Sequence, residues 1–596
     1  MSVIYQTGAI ARTMRYLRIN LNLLYSNKFL GANERLYSTK RSNTTYDYII
    51  VGAGSAGCVL ANRLTESGHD KVLVLEAGPK DSTWKIWMPA ACMYNLCDDK
   101  YNWYYHTEAE TAMNQREMYW PRGKVWGGSS SLNAMVYIRG NPLDYDRWEQ
   151  EGATNWSYAN CLPYFKKAQT HEYGENEYRG GNGPLCVSRG KTDNPLHHAF
   201  IQAGVEAGFP YTDDMNGYQQ EGVGWMDMTI HKGMRWSAAA AYLHPIKKIR
   251  SNLETKVKVL ATKILFDKTK AIGIEYEENG AVHKVFAEKE VIISSGAVNT
   301  PQLLMLSGLG NGDELKKLDI PVISHLPGVG ENLQDHLDLC VQYKCLKPVS
   351  LYTAQWKYPH NMIKIGLEWF LFQKGLGATA HFESGGFISS RESVAHPDLQ
   401  IHFLPLATND HGRTMAKCHS FQLHMGPMRP TSKGHIKLRS NNPRDYPKIV
   451  ANYLTTDGDM QEMVDSVRLA REIVKQKAFD EFRGEEIQPG TDIQTRSEIE
   501  QFIRNTSDTN YHPSCTCKMG QPSDPMTVVD PEANVVGVEN LRVVDASIMP
   551  SIVSGNLNAP TIMIAEKMAD IIRGIPPLEK SKATYCLPKS ASCMDV

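Results

Sequence analysis

The chain has 596 residues, 42% of them apolar and 22% charged, with a formal net charge of −1 at pH 7. That length exceeds what one simple core fills, so two domains or one large elaborated domain is expected. The charge balance gives no reason to expect a nucleic-acid partner. No run reaches the roughly 18–20 uninterrupted apolar residues that span a bilayer, so only peripheral membrane contact stays open. The 12 cysteines are scattered without paired C-x-x-C elements, which argues against a zinc site and against a disulfide scaffold, and no metal is expected.

The first 45 residues contain Arg12, Arg15, Arg18, Lys28, Arg35, Lys40 and Arg41, with Glu34 as the one acid. Apolar and hydroxylic residues lie between the charges, as in an amphipathic transit peptide. Arg35-Leu36-Tyr37-Ser38 resembles a matrix-processing site, so residues 1–37 are expected to be a mitochondrial transit peptide. A reducing matrix fits free cysteines.

The next stretch sets the fold. Tyr48–Val51 is a short β-branched run that reads as a buried strand, Gly52, Gly54 and Gly57 follow at G-x-G-x-x-G spacing, and Cys58–Leu64 reads as a helix. A second strand, Val72–Leu75, ends on Glu76. Gly52 suits the tight turn, Gly54 the approach of a pyrophosphate to backbone N–H groups, and Gly57 the packing of helix on strand. A pyrophosphate is favoured at the helix N-terminus, and Glu76 stands where a carboxylate accepts hydrogen bonds from a ribose diol. The unit predicts a dinucleotide site in a Rossmann-like α/β domain.

Further along, Trp84–Tyr105 is rich in aromatic residues and methionine, which suits a cofactor wall or an ordinary core equally. Arg122–Met135 contains two adjacent glycines followed by three serines, a loop of little bulk and many donors. Val291–Ser295 reads as a strand, and Pro301 suits the first turn of the helix after it. Leu399–Phe403, Phe421–Met425 and Gly434–Leu438 alternate and read as strands of an antiparallel sheet, with a helix over Met460–Lys475. Cys515 and Cys517 read as two reduced cysteines in a buried turn. Pro513 holds His512 to an extended backbone, fixing its direction. The end beyond Ile575 reads as a disordered tail.

Four blocks carry a resemblance: GKVWGGSSSLNAMVYIRGNP, GAVNTPQLLMLSGLG, YHPSCTCKMG and LRVVDASIMPSIVSGNLNAPTIMIAEKMADIIRG. With the glycine motif they make the chain similar to the glucose–methanol–choline (GMC) flavoprotein oxidoreductases from Tyr46 to Gly574. The resemblance implies FAD rather than NAD, and a discontinuous α/β FAD-binding domain joined to an α+β substrate domain built on an antiparallel sheet. Residues 46–340 would be mainly FAD-binding, 341–510 mainly substrate-binding, 511–575 a return carrying catalytic residues, and 576–596 a tail.

The resemblance also implies roles. Glu76 would hold the ADP ribose, and the loop with Gly128 and Asn133 would run beside flavin and pyrophosphate. Asp545 would sit near the ribityl chain, and a helix starting near Pro560 would point its N-terminus at the flavin pyrimidine. His512 matches the catalytic histidine, suited to accept a hydroxyl proton. Asn556, rather than Asn558, matches the second active-site position, where an amide can hydrogen-bond the alcohol oxygen. Choline oxidases carry a flavin-linked histidine where this chain has Leu132, so FAD is expected to be non-covalent.

The C-terminal blocks and the leader favour the mitochondrial, choline-oxidising branch, giving betaine aldehyde and passing electrons to a quinone at the inner membrane. A quaternary ammonium needs aromatic faces and a carboxylate, for which Trp103-Tyr104-Tyr105 and Glu383 are the candidates. The competing readings are a GMC enzyme for another primary alcohol or sugar, a flavin-binding protein without catalysis, and an NAD-dependent dehydrogenase.

Overall fold

Thr45–Val51 is the centre of the first sheet in the computed structural model, which describes residues 45–587 except residue 395. The expected transit peptide lies outside the described residues. Val72–Glu76 pairs parallel with one edge of the central strand and Ala281–Ile293 with the other, and Leu253–Val257 extends the parallel side. Lys270–Glu278 and Val259–Asp267 continue antiparallel beyond Ala281–Ile293. The seventh strand, Leu541–Val543, returns from near the other end of the chain to pair with Val291–Ile293.

Helix α1 (Ser55–Leu64) follows the glycine turn directly. A Cβ on Gly57 would stand 1.9 Å from the Gly52 carbonyl oxygen, so only glycine lets this helix lie so close to its strand. Helix α2 (Gly296–Leu306) begins earlier than expected, leaving Pro301 inside it rather than in its first turn. A proline there deprives the carbonyl four residues back, that of Ala297, of its helical donor. The Thr516 hydroxyl donates to that oxygen at 2.7 Å and removes the penalty.

The second sheet is antiparallel and also seven-stranded: Arg483–Gln488, Leu337–Cys345, Ser420–Pro427, Leu399–Leu404, Ser384–Ile388 and Gly222–Trp225 in that order, with Asp508–Thr509 pairing on Leu337–Cys345. His435–Lys437, expected in this sheet, pairs instead with Lys448–Val450 in a separate ribbon, because its alternation is that of any half-buried strand. Helix α3 (Pro359–Phe372) leaves this sheet region for the surface. Helix α4 (Asp457–Lys475) covers the sheet, packing Met463, Val464 and Val467 inward. Together the two sheets and their helices make one compact unit of α/β and antiparallel parts.

Helix α5 (Asn558–Ile572) starts two residues before Pro560 and is buried from Ala559 to Asp570. It packs on α1 and on Tyr158–Ala168. The fully buried Glu566 accepts two hydrogen bonds from the Arg63 guanidinium, both 2.8 Å, and one from the Tyr242 hydroxyl. The described part of the tail, residues 576–587, packs on the protein, against expectation. Ser581 N–H donates to Ala159 O, Cys586 N–H to Tyr218 O, and the Tyr585 hydroxyl to Asp146, so the segment gains partners that its composition does not advertise.

Removing one member of a buried ion pair strands the other in low dielectric. Glu566→Ala is expected to lower unfolding stability by about 3–5 kcal/mol, read as a lower urea midpoint.

Candidate functional site

A cavity of about 950 Å³ is lined by residues of both sheets. Gly52, Gly54, Glu76, Gly128, Leu132, Asn133, Asp545, His512 and Asn556 all line it, and Gly57 does not, as its packing role requires. Three helix N-termini face it, those of α1, α2 and α5, through Ser55, Gly296 and Asn558. Neither α1 nor α5 has a side-chain N-cap. Their free N–H groups and dipoles favour an anion at that end.

The walls fit a dinucleotide. A Cβ on Gly54 would meet nothing of the protein nearer than 4.0 Å, so the space over this glycine belongs to the cavity. A Cβ on Gly128, whose φ is +54°, would come within 2.8 Å of the Gly54 Cα, so the two glycine loops press backbone on backbone. Glu76 is buried and accepts from Ala53 N–H (2.9 Å) and Gly78 N–H (2.8 Å). Burial pushes its carboxyl up to about 7 against those two bonds and Lys124.

Asp545 spends its carboxylate on the protein itself. It accepts from Gly296 N–H (2.8 Å), Thr300 Oγ1 (2.6 Å) and Ser547 N–H (2.8 Å), and so fixes where α2 begins. Asn133 Oδ1 accepts from Met135 N–H (3.1 Å) and from the buried Arg235 guanidinium (2.7 Å), which also bonds Ser130 O. Arg235 has no carboxylate among its hydrogen-bond partners, and burial pulls its pKa down to about 10.

At the other end stands His512. Hydrogen counting fixes its tautomer. His336 Nε2 lies 2.9 Å from Met428 O, which can only accept, so that nitrogen carries the proton. His336 Nδ1 is then an acceptor, and the 3.0 Å contact with His512 Nδ1 requires that nitrogen to be the donor. His512 Nε2 is left as a lone pair, 3.3 Å from Asn556 Nδ2. Asn556 is oriented in turn by Gln400 Nε2, which donates to its Oδ1 at 3.0 Å. Burial holds both rings neutral, taking His336 to about 4 and His512, further affected by His336, His402 and Arg122, well below its ordinary value. Asp335 accepts the His512 N–H at 2.7 Å and the Thr509 hydroxyl at 2.6 Å.

The expected cation partners are not where they were sought. Glu383 is 1% exposed and off the cavity wall, its Oε2 3.3 Å from His197 Nε2; its neighbour Phe382 faces the cavity instead. Both residues precede the strand Ser384–Ile388, and Glu383 turns to His197 while Phe382 turns to the cavity. Trp103 and Tyr105 line the cavity with stacked rings, but Lys124 already covers the Trp103 face at 4.5 Å, and Lys124 belongs to the Glu76 end. Tyr104 packs on Tyr119, away from the cavity. Near His512 the cavity is lined by Phe382, His402, His424, Tyr511, Asp338 and Asp508. Asp338 Oδ2 accepts from His424 Nδ1 at 2.8 Å, while its Oδ1 is buried without a hydrogen-bond partner. Although burial opposes it, Cys340 and Asp338 raise His424 well above its ordinary value.

His336, Asp335 and Gln400 escaped sequence reasoning. The usable signal was Gln334-Asp335-His336 just ahead of a strand, but only the pairing of that strand with Asp508–Thr509 brings it to His512. Cys515 and Cys517 are buried and unbridged, as read from the sequence.

A family model described as GMC oxidoreductase matches residues 46–338 with its N-terminal part and residues 430–565 with its C-terminal part. Mitochondrial choline dehydrogenase of Mus musculus is 60% identical over 552 residues, 91% of this chain and 92% of that protein. The oxygen-dependent choline dehydrogenase of Vibrio vulnificus is 50% identical over 547 residues, 91% of this chain and 97% of that one. Among solved structures, pyridoxine 4-oxidase from Mesorbium loti superposes with a TM-score of 0.80 at 30% identity, covering 89% of this chain and 100% of that one.

The two glycines of the motif should separate in their effects. Gly54→Ala is expected to fold but to retain far less dinucleotide, whereas Gly57→Ala is expected to yield unstable protein. The ratio of cofactor to protein absorbance, with a thermal melt, reads both.

Proposed function

The chain belongs to the GMC oxidoreductase family, and we propose that it oxidises choline to betaine aldehyde with non-covalent FAD, in the mitochondrion, passing electrons to a membrane quinone. It is an alcohol oxidoreductase; the substrate, the acceptor and the residue roles are our reading. What carries that reading is the lone pair on His512 Nε2, held beside the Asn556 amide by the chain from Met428 through His336.

Bound FAD supplies the hydride acceptor for the alcohol carbon. The protein does the rest. His512 Nε2 accepts the hydroxyl proton, and Asn556 Nδ2 donates to the same oxygen without titrating. His336 keeps the imidazole from turning, and Asp335 holds the His512 backbone beneath it. Glu76 would hold the ribose, the N-terminus of α1 the pyrophosphate, and the loop through Gly128 and Asn133 the ring system, with Asp545 near the ribityl chain and the start of α5 at the pyrimidine side. Leu132 offers no atom for a covalent link. Residues 46–340 serve mainly the cofactor, 341–510 mainly the substrate, and 511–575 bring the two together.

Choline is favoured because the mouse and bacterial relatives carry that activity in their names. The trimethylammonium would rest on the Phe382 face, within the field of the Asp338 carboxylate. The acid proposed for this charge is therefore Asp338, in place of Glu383.

Four measurements test the reading. Choline should bleach the visible flavin band anaerobically, and glucose should not; bleaching by glucose alone would sink the substrate. Asp338→Asn should raise KM for choline while leaving that for its neutral isostere, 3,3-dimethylbutanol, unchanged. His512→Ala should keep its flavin and lose roughly 10²–10⁴-fold in kcat. His336→Leu should lose on the order of tenfold in kcat with KM unchanged, since it frees the tautomer without touching substrate.

A further inference from the structure

Helix α3 breaks the burial pattern of the molecule. Eight of its 14 residues are Met, Ile, Leu, Trp or Phe, yet Trp369 is its one buried side chain. Leu371 and Phe372 are 64% and 65% exposed, and Leu367 and Phe370 more than half. Trp356, just before the helix, is 65% exposed, and the Trp84 ring packs edge-on against Phe370 at 5.7 Å. Apolar side chains scattered singly over a surface need no explanation, but a contiguous face of this kind marks an interaction site.

Its chemistry points to one occupant. At a rise of 1.5 Å per residue the helix is about 21 Å long, shorter than the roughly 30 Å hydrocarbon core of a bilayer. No helix among the described residues is long and apolar enough to cross a membrane. Lys357, Lys364 and Lys374 flank the apolar face, against Glu368 as the one acid between residues 356 and 374. That acid is turned to the protein, its carboxyl carbon 2.3 Å from where a Cβ on Gly375 would stand. Tryptophan and phenylalanine on one face with lysines at the rim make up the composition of a helix that lies in the headgroup plane. The lysines complement anionic lipid. A protein partner would have no comparable need of lysines around an aromatic patch.

We infer that α3, with Trp84 and Trp356, docks on the surface of a bilayer containing anionic lipid. The face backs onto the cavity. The Trp369 indole donates to Gly233 O at 2.8 Å, its ring packs on Met88 and Ala91, and the Cys92 and Met93 that follow line the cavity wall. The docking deepens the reading of a membrane quinone as acceptor and rests on that reading for its purpose, though not for its test.

The flavin-loaded protein is floated with phosphatidylcholine vesicles, with and without about 20% phosphatidylglycerol. Flotation with the anionic vesicles is expected, with at least a tenfold loss for the double variant L371E/F372E, while choline oxidation with a soluble dye stays unchanged. In the unaltered protein, brominated lipid should quench tryptophan emission, a readout that needs no variant. Absence of flotation, equal flotation of the variant, or flotation without quenching would overturn the inference. So would a dimer in sedimentation that the variant abolishes while vesicles bind nothing, because a second copy would then cover the face. Loss of choline as substrate leaves flotation untouched, so the two readings fail separately.

Discussion

The carboxylate of Asp545 is the point at which distant parts of this chain are tied together. It takes hydrogen bonds from the first N–H of α2, from Thr300 one turn on, and from Ser547 beyond itself. On one side its segment pairs with Val291–Ile293. On the other, Ala546 O, Ser547 O and Ile548 O accept from the backbone N–H groups of Cys515, Cys517 and Met519. The segment that follows His512 is therefore hydrogen-bonded to the strand that completes the cofactor sheet. Histidine and cofactor end are positioned by one backbone ladder, with no mobile linker between them. A charge-accepting group buried at 3% exposure tolerates this because three donors replace its water.

The histidine pair works by the same logic in a drier place. Two buried imidazoles in contact cannot both be charged, and a carbonyl at the end of the row decides which nitrogen holds each proton. A free acceptor is made by subtraction: every other hydrogen position is assigned, and one lone pair is left over facing the cavity. The surrounding Asp335, Asn556 and Gln400 are each held by at least one bond of their own, so the arrangement is rigid before substrate arrives.

Against this well-satisfied interior, α3 is the exception. The same chain that buries every residue of α5 from Ala559 to Asp570 leaves Phe370, Leu371 and Phe372 in the open. Burial of apolar area is the main driving force of folding, so a helix that forgoes it is built for a surface met after folding.

The sequence alone determined the strand–glycine–helix unit and the two-sheet class, and it pointed to His512 and Asn556, which the fold sets side by side, because glycine spacing, strand composition and family blocks are local and one-dimensional. It also read the buried, unbridged Cys515 and Cys517 correctly. Tertiary structure decided the rest. Pro301 lies inside α2 because Thr516, far along the chain, supplies the missing donor. His435–Lys437 chose its own partner strand, since alternation tells that a strand has two faces and not which neighbour it finds. Glu383, expected beside the substrate, turns instead to His197, which lies far earlier in the chain. His336 acquires its meaning only from the pairing that sets it against His512. Positions that depend on which distant segments meet, and on which side of a strand faces inward, are properties of the packed molecule, and no spacing along the chain records them.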